Sequence, residues 1–260
     1  MAGGDGAMAM TQHVLIVAGS DSSGGAGIAR DVDTVSAFGL RSCLAVTAVT
    51  AQTHSAVEHI EHMPPGLIAA QMRTAFAVSR VAAVKIGMLG TEAAIEAVCS
   101  VLADNRPVPI VIDPVLASTS GRLLLEADAI DALRRDLMPA CRLVTPNLAE
   151  LAALTRSVLA LDEEAACQQG KRLASNVGTM VLVKGGHAQG SQAVDLLLPP
   201  DGPAIRFEAA RLKHRMRGTG CMLSTAVAAF LALGSSLEES VRGAKQYVFE
   251  RFVREGAKLT

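Results

Sequence analysis

The sequence predicts an α/β fold with a mainly parallel central sheet and helices on both of its faces. Short apolar runs alternate with longer helix-forming stretches, the order that parallel strands joined by helical crossovers require. The strand-like runs are apolar at nearly every position, as buried strands are. Polar and glycine clusters recur where those runs end, at Gly19–Gly27, Gln52, Gly87-Met88, Asp113, Asn147–Glu150 and Lys184–His187. Ligands of open α/β sheets sit outside the carboxyl ends of the strands, so these clusters should converge on one rim.

In chain order, His13 to Ala18 (HVLIVA) reads as a buried strand, followed by the loop Gly19–Gly27 and a helix to about Phe38. Cys43 to Thr50 is a second strand, and His59-Ile60-Glu61-His62 reads as loop rather than as a metal site. Pro64 and Pro65 open a helix that runs to Ser79. Ala82 to Ile86 is a strand, Thr91 to Asp104 a helix, and Pro109 to Ile112 a strand that stops at Asp113-Pro114. Glu126 to Leu137 is helical, Arg142 to Val144 a strand, and Thr145-Pro146-Asn147 a turn into another helix. A helix over Asp162 to Ser175 precedes a strand over Met180 to Val183. Ala193 to Leu198 and Ala204 to Phe207 flank Pro199–Pro203 as an antiparallel pair, and helices from about Gly218 and Leu237 close the chain. With neither a Pro/Ser-rich linker nor an internal repeat, residues 13–260 read as one domain behind a flexible tail over 1–12.

Composition narrows the function. Half of the 260 residues are hydrophobic and there is no tryptophan, which suits a large aliphatic core. A net charge of −1 without a polybasic run argues against nucleic acid or an anionic membrane as partner. The five cysteines are scattered with no C-x-x-C pair, so neither a disulfide framework nor structural zinc is expected. The N-terminus lacks the pattern of a signal peptide, and no apolar run is long enough for a membrane span. A soluble cytoplasmic protein is the expectation.

The richest segment is Arg217-Gly218-Thr219-Gly220-Cys221, a Gly-Thr-Gly turn and a thiol heading the apolar stretch Met222 to Leu233. Free N–H groups at a helix start, with the helix dipole behind them, form an anion site. A cysteine in that first turn should be a better thiolate than a free one. By itself a cysteine is as readily a small buried apolar residue, and the glycine context is what raises Cys221 above that. Lys213, His214, Arg215 and Arg217 form a basic cluster just ahead of it.

Gly19–Gly27 resembles a phosphate loop but fits neither G-x-x-x-x-G-K-[ST] nor G-x-G-x-x-G, which disfavours a P-loop ATPase and a dinucleotide dehydrogenase. It is either a tight packing turn or a close backbone approach to a small ligand, with Asp31 one helical turn beyond Gly27 to hydrogen-bond that ligand. Asn147 and Glu150, at i and i+3, are a capping box in form and also oxygen donors that suit magnesium on nucleotide phosphates. Lys184 is either a strand-ending residue or a contact to a nucleotide.

Taken together, AGSDSSGGAGIARD (18–31), TAVTAQ (47–52), KIGML (85–89), IDPV (112–115), TPNLAE (145–150), VLVKGGH (181–187), AVDLLL (193–198) and GTGC (218–221) resemble hydroxymethylpyrimidine/phosphomethylpyrimidine kinases of thiamine biosynthesis. These enzymes are members of the ribokinase-like superfamily, and the likeness runs from about Val14 to Val253. It implies a ribokinase-like sheet of eight or more strands, ATP and Mg²⁺, a small pyrimidine alcohol as substrate, and a homodimer. By position it implies that Asp31 and Gln52 bind the pyrimidine's polar edge, while Gly19, Met88 and Val115 line its pocket. Cys221 takes the base position, Gly218, Thr219, Gly220 and Cys221 form the anion hole, and Asn147 and Glu150 organise magnesium. Lys184 and Lys245 fall at nucleotide or phosphate positions. The thiol points to the pyrimidine and pyridoxal branch, leaving a pyridoxal kinase or a non-catalytic pyrimidine-binding homologue as alternatives. Three positions depart from the family's usual residues: Met216-Arg217 stand where it reads Thr-His, Ser22 where it reads Pro, and Arg122 where it reads Asp.

Overall fold

β1 (His13–Asp21) passes through α1 (Gly27–Ala37) to β2 (Arg41–Gln52), and β3 (Val57–His62) returns along it. The computed structural model describes residues 11–53, 55–105, 107–118, 120–185, 192–212 and 216–256. α2 (Pro65–Val78) leads to β4 (Val81–Ile86), and α3 (Glu92–Ala103) to β5 (Ile110–Ile112). α4 (Ala129–Ala132) continues as a π turn over Leu133–Leu137 and a 3-10 turn over Met138–Ala140 before β6 (Leu143–Val144). α5 (Leu148–Thr155) and α6 (Glu163–Val177) precede β7 (Met180–Lys184), and β8 (Gln192–Leu198) and β9 (Ile205–Ala210) follow it. α7 (Thr219–Ala232) and α8 (Leu237–Gly256) come last.

The strands form one nine-stranded sheet in the order β3-β2-β1-β4-β5-β6-β7-β8-β9. β2, β1, β4, β5, β6 and β7 pair parallel, and the pairs β2–β3, β7–β8 and β8–β9 are antiparallel. Successive side chains of β1 supply two cores, one on each face, as the period of a strand dictates. Leu15 and Val17 pack with Ile68 and Met72 of α2, Ile95 of α3, Leu151 of α5 and Leu173 of α6. Val14, Ile16 and Ala18 pack with Val35 of α1, Val227 and Ala228 of α7 and Val241 of α8.

Three expectations are corrected. β1 extends past Ala18, because after a register shift Gly19, Ser20 and Asp21 pair with Ala48, Val49 and Thr50. His59–His62 lies in β3 rather than in a loop, with Ile60 opposite Thr50. VEHIEH offers few apolar residues because β3 is an edge strand, and edge strands carry charge that discourages pairing with another chain. The helix expected from Glu126 begins only at Ala129 and loosens into the π turn. Gly186, His187, Lys213, His214, Arg215 and residues 1–10 of the expected tail lie outside the described residues. Among the described residues no helix is long and apolar enough to cross a membrane.

Candidate active site

α7 begins at the carboxyl rim of the sheet, and glycine makes that approach possible. Gly218 is its N-cap, left-handed at φ 70°. A Cβ on Gly218 would stand 2.4 Å from the Gly25 carbonyl oxygen, and one on Gly27 (φ 58°) 2.4 Å from that of Gly19. The β1–α1 loop and the segment entering α7 therefore meet backbone to backbone. Gly218→Ala should cost about 1–2 kcal/mol for the left-handed residue alone, before the clash is counted. A melting temperature lowered by about 5 °C, together with at least a tenfold loss of turnover, is the expected result of thermal melts and steady-state assays.

The first turn of α7 faces a cluster of charge. A Cβ on Gly220 would lie 3.1 Å from Lys184 Nζ and 3.5 Å from Asp113 Oδ2, so that turn comes down directly onto both groups. Lys184 Nζ donates to Asp113 Oδ1 at 2.5 Å and lies 4.0 Å from Glu150 Oε2. Burial works against the Lys184 charge, but the Asp113 and Glu150 carboxylates override it and hold the ammonium above its usual range. Burial pushes Glu150 up to about 7 against the pull of Lys184, with Asp113 adding to the rise. Asn147 and Glu150 close the capping box: Glu150 N–H donates to Asn147 Oδ1 at 2.9 Å and Asn147 N–H to Glu150 Oε2 at 2.8 Å. Asn147 thus fixes the Glu150 carboxylate as well as starting α5.

Cys221 lies in the same first turn, yet its thiol is no ready thiolate. Burial pushes it up to about 11; the Lys85 ammonium opposes the rise, while Asp31 and Asp113 reinforce it. The expectation of a lowered value fails because the helix start lies in a buried, carboxylate-rich corner. Asp31 is also corrected. Its side chain is fully buried, accepting from Lys85 Nζ at 2.6 Å and from Thr225 Oγ1 at 2.7 Å, so its oxygens are turned to protein rather than to a ligand. Burial works against the Lys85 charge as well, and Asp31 overrides it and keeps the ammonium protonated.

The remaining expected residues stand at or near other strand ends, apart from Lys245, which is in α8. Met88 is buried, its carbonyl accepting from Thr47 Oγ1 at 2.6 Å, and its sulfur would stand 3.1 Å from a Cβ on Gly19. Val115 is half-buried two residues beyond Asp113, and Gln52 is half-buried at the end of β2. Lys245 comes in from α8 and donates to Asp195 Oδ2 at 2.6 Å, while Asp195 Oδ1 accepts from the Gly185 N–H at 3.0 Å. Asp195 thereby ties Lys245 to the end of β7.

Asp113, Lys85, Thr225 and Asp195 were not among the expected site residues. Asp113 was expected at the rim, as the polar group that ends the wholly apolar strand β5, but was given no role there. Lys85 also leaves a trace: a lone charge inside VAAVKI demands a buried counter-ion, though the sequence does not say which.

Asp113, Glu150, Lys184 and the start of α7 combine acidic oxygens, one ammonium and free N–H groups. Such a set suits a phosphorylated ligand and a divalent cation that keeps its waters and phosphate ligands. Among the described residues no group of three or more His, Cys, Asp or Glu is arranged to hold a metal ion.

The family model for phosphomethylpyrimidine kinase matches residues 21–259. The hydroxymethylpyrimidine/phosphomethylpyrimidine kinase of Rhizobium meliloti (strain 1021) is 42% identical over 92% of this chain and 90% of its own. The solved phosphomethylpyrimidine kinase of Clostridium difficile 630 matches with a TM-score of 0.79 at 33% identity, covering 93% of this chain and 99% of its own. The pyridoxal kinase of Bacillus subtilis, solved as an ADP complex, has a TM-score of 0.82 at 29% identity, covering 91% of this chain and 89% of its own.

Proposed function

The chain belongs to the phosphomethylpyrimidine kinase family, and from that membership we propose that it phosphorylates 4-amino-5-hydroxymethyl-2-methylpyrimidine and then the resulting monophosphate at the expense of ATP. The observation that carries this reading is the descent of the α7 start onto Asp113 and Lys184 with Cys221 in the same turn. In each transfer a bond forms between the acceptor oxygen and the γ-phosphorus and the bond to the ADP oxygen breaks; the alcohol of the first transfer gives up its proton, whereas the phosphate oxygen that accepts in the second is already largely deprotonated at neutral pH. The site's task is positioning and charge stabilisation. The N–H groups of Gly218 to Cys221 bear charge developing on the moving phosphoryl group. Lys184 and Lys245 hold nucleotide or phosphate oxygens, and Gly19, Met88 and Val115 bound the ring pocket that Gln52 addresses. Asp31 acts through Lys85 and Thr225. Asp113 and Glu150, the latter fixed by Asn147, would hold Mg²⁺, which when bound neutralises phosphate charge.

The half-buried Cys221 thiol is placed to exchange the acceptor's proton, and its value of about 11 means that Sγ holds a proton at neutral pH. A loose transition state makes limited demand on a base, so this does not forbid turnover. The exposed Leu44, Leu67 and Val78 on the β2–α2 side support association of two copies.

The Bacillus subtilis neighbour gives a second reading, phosphorylation of a pyridoxal-type alcohol. Incubation with ATP, Mg²⁺ and each alcohol, following ADP and both phosphorylated products, decides between them. We expect pyrimidine mono- and diphosphate and a kcat/KM at least tenfold above that for pyridoxal. Tight pyrimidine binding without ADP would reject both.

A further inference from the structure

The β2–β3 hairpin is held by side chains from three separate segments, two of which, the β1–α1 loop and the entry to α7, border the corner where Cys221 lies. Ser22, in the β1–α1 loop, donates to the Gln52 carbonyl at 3.0 Å and accepts from the Gln52 N–H at 2.8 Å. Arg217, immediately ahead of α7, donates through Nη1 to the Thr53 carbonyl at 3.0 Å and to Ser23 Oγ at 3.2 Å, with Nη2 3.7 Å from Asp21 Oδ2. Arg122, beyond β5, donates through Nη1 to the Val57 carbonyl at 2.7 Å and the Glu58 carbonyl at 2.9 Å.

These contacts are built rather than incidental. Arg122 leaves a tight turn in which Ser118 N–H donates to the Arg122 carbonyl at 2.8 Å and Arg122 N–H to Ser118 Oγ at 3.1 Å, with Gly121 left-handed at φ 87°. Both arginines use charged donors on neutral carbonyls, which are stronger than neutral pairs. β3 is the edge strand and pairs with β2 alone, so its start depends more on side-chain fastening than an interior strand does. Ser22, Arg122 and Arg217 are also the positions where this chain departs from its family's usual Pro, Asp and His. A proline at position 22 has no hydroxyl and a carboxylate at position 122 cannot donate, so neither could make these bonds.

We propose that Arg122 and Arg217 are positioning residues that clasp the β2–β3 hairpin over the acceptor end of the site. Resting on the pyrimidine kinase reading, the clasp fixes Gln52 against the alcohol and keeps water out while the phosphoryl group moves. It governs capture of the alcohol and the coupling of ATP cleavage to its phosphorylation, and leaves ATP binding alone.

Arg122→Ala and Arg122→Lys test it, because Arg122 is exposed and its removal leaves the anion hole intact. With purified full chain, Arg122→Ala should raise KM for the pyrimidine alcohol about tenfold, the factor that a loss of about 1.4 kcal/mol produces. kcat and KM for ATP should stay within twofold, and ADP formation without alcohol should rise. Arg122→Lys should recover part of the loss, and amide exchange in Val57–His62 should quicken in Arg122→Ala without ligand. An unchanged KM for the alcohol, or one that moves in step with KM for ATP, overturns the proposal, as does unchanged hairpin exchange. If the parent protein phosphorylates no pyrimidine, the kinase reading fails, and the ligand-free exchange measurement still decides whether the clasp exists.

Discussion

Cys221→Ala should lower kcat for the pyrimidine alcohol by about a hundredfold, the lower part of the range for loss of a positioned proton-transfer group, while KM for ATP stays within twofold. The split follows from position. The backbone N–H groups of the α7 start do not depend on the side chain at 221, so nucleotide binding survives. What is lost is the side chain of that turn to which the proposed mechanism assigns the acceptor's proton. The thiol also fixes the sign of the pH dependence. Its value in the folded protein, about 11, lies above the ordinary 9.0. Proton acceptance by Sγ needs the thiolate, whose population grows as pH rises toward 11, so kcat/KM for the alcohol should climb across the alkaline range. Cys221→Ala should flatten that limb. A pH-independent parent rate between neutrality and pH 10, or an alanine variant with unchanged turnover, would remove Cys221 from proton transfer. Linkage runs the other way for stability: a buried thiol that stays protonated when its unfolded counterpart ionises stabilises the fold below about pH 9, and that contribution is lost as pH rises to about 11. Kinetic measurements at high pH therefore need a parallel melt.

Much of this architecture was legible in the residues. The strands over His13–Ala18, Ala82–Ile86 and Met180–Val183 are buried on both faces, so their apolar runs announce them with no help from tertiary context. The Thr91 and Asn147 helix starts were equally plain, because capping is local: each side chain bonds an N–H three residues on. β3 was not legible, since an edge strand's sequence is shaped by solvent and by avoidance of other edges. For the candidate site, glycine and helix-start chemistry pointed to Gly218–Cys221 and strand-end placement to Lys184 and Glu150, which the fold brings together. The state of Cys221 and the orientation of Asp31 were beyond sequence reasoning. Both depend on Lys85, 54 positions from Asp31, and on how fully the fold buries all three. Contacts between distant segments decide protonation, and local pattern does not encode them.

That dependence makes Lys85→Met the most damaging single change expected. Lys85 and Asp31 are both fully buried at 0% side-chain exposure and 2.6 Å apart, with Thr225 of α7 donating to the other Asp31 oxygen. The three join β4, α1 and α7 beneath Cys221. Removing only the ammonium leaves a buried carboxylate unpaired, a defect of about 3–5 kcal/mol. For a chain of this size that lowers the melting temperature on the order of 10 °C. In the variant, burial without Lys85 raises the Asp31 value far above the ordinary 3.8, so the unfolded state releases that proton first as pH rises. The variant should therefore approach the parent's stability in acid and fall behind it toward neutral pH. Adding Asp31→Asn removes the orphaned charge while keeping an acceptor for Thr225, and should recover most of the lost stability. It should recover the rate only in part: losing Lys85 lifts the Cys221 value, losing the Asp31 charge lowers it by a smaller amount, and the alkaline limb of kcat/KM stays displaced to higher pH. Recovery of both by the double variant would mean that the pair serves folding alone. Recovery of stability with the alkaline limb still displaced would place Lys85 in the chemistry, acting through the thiol above it.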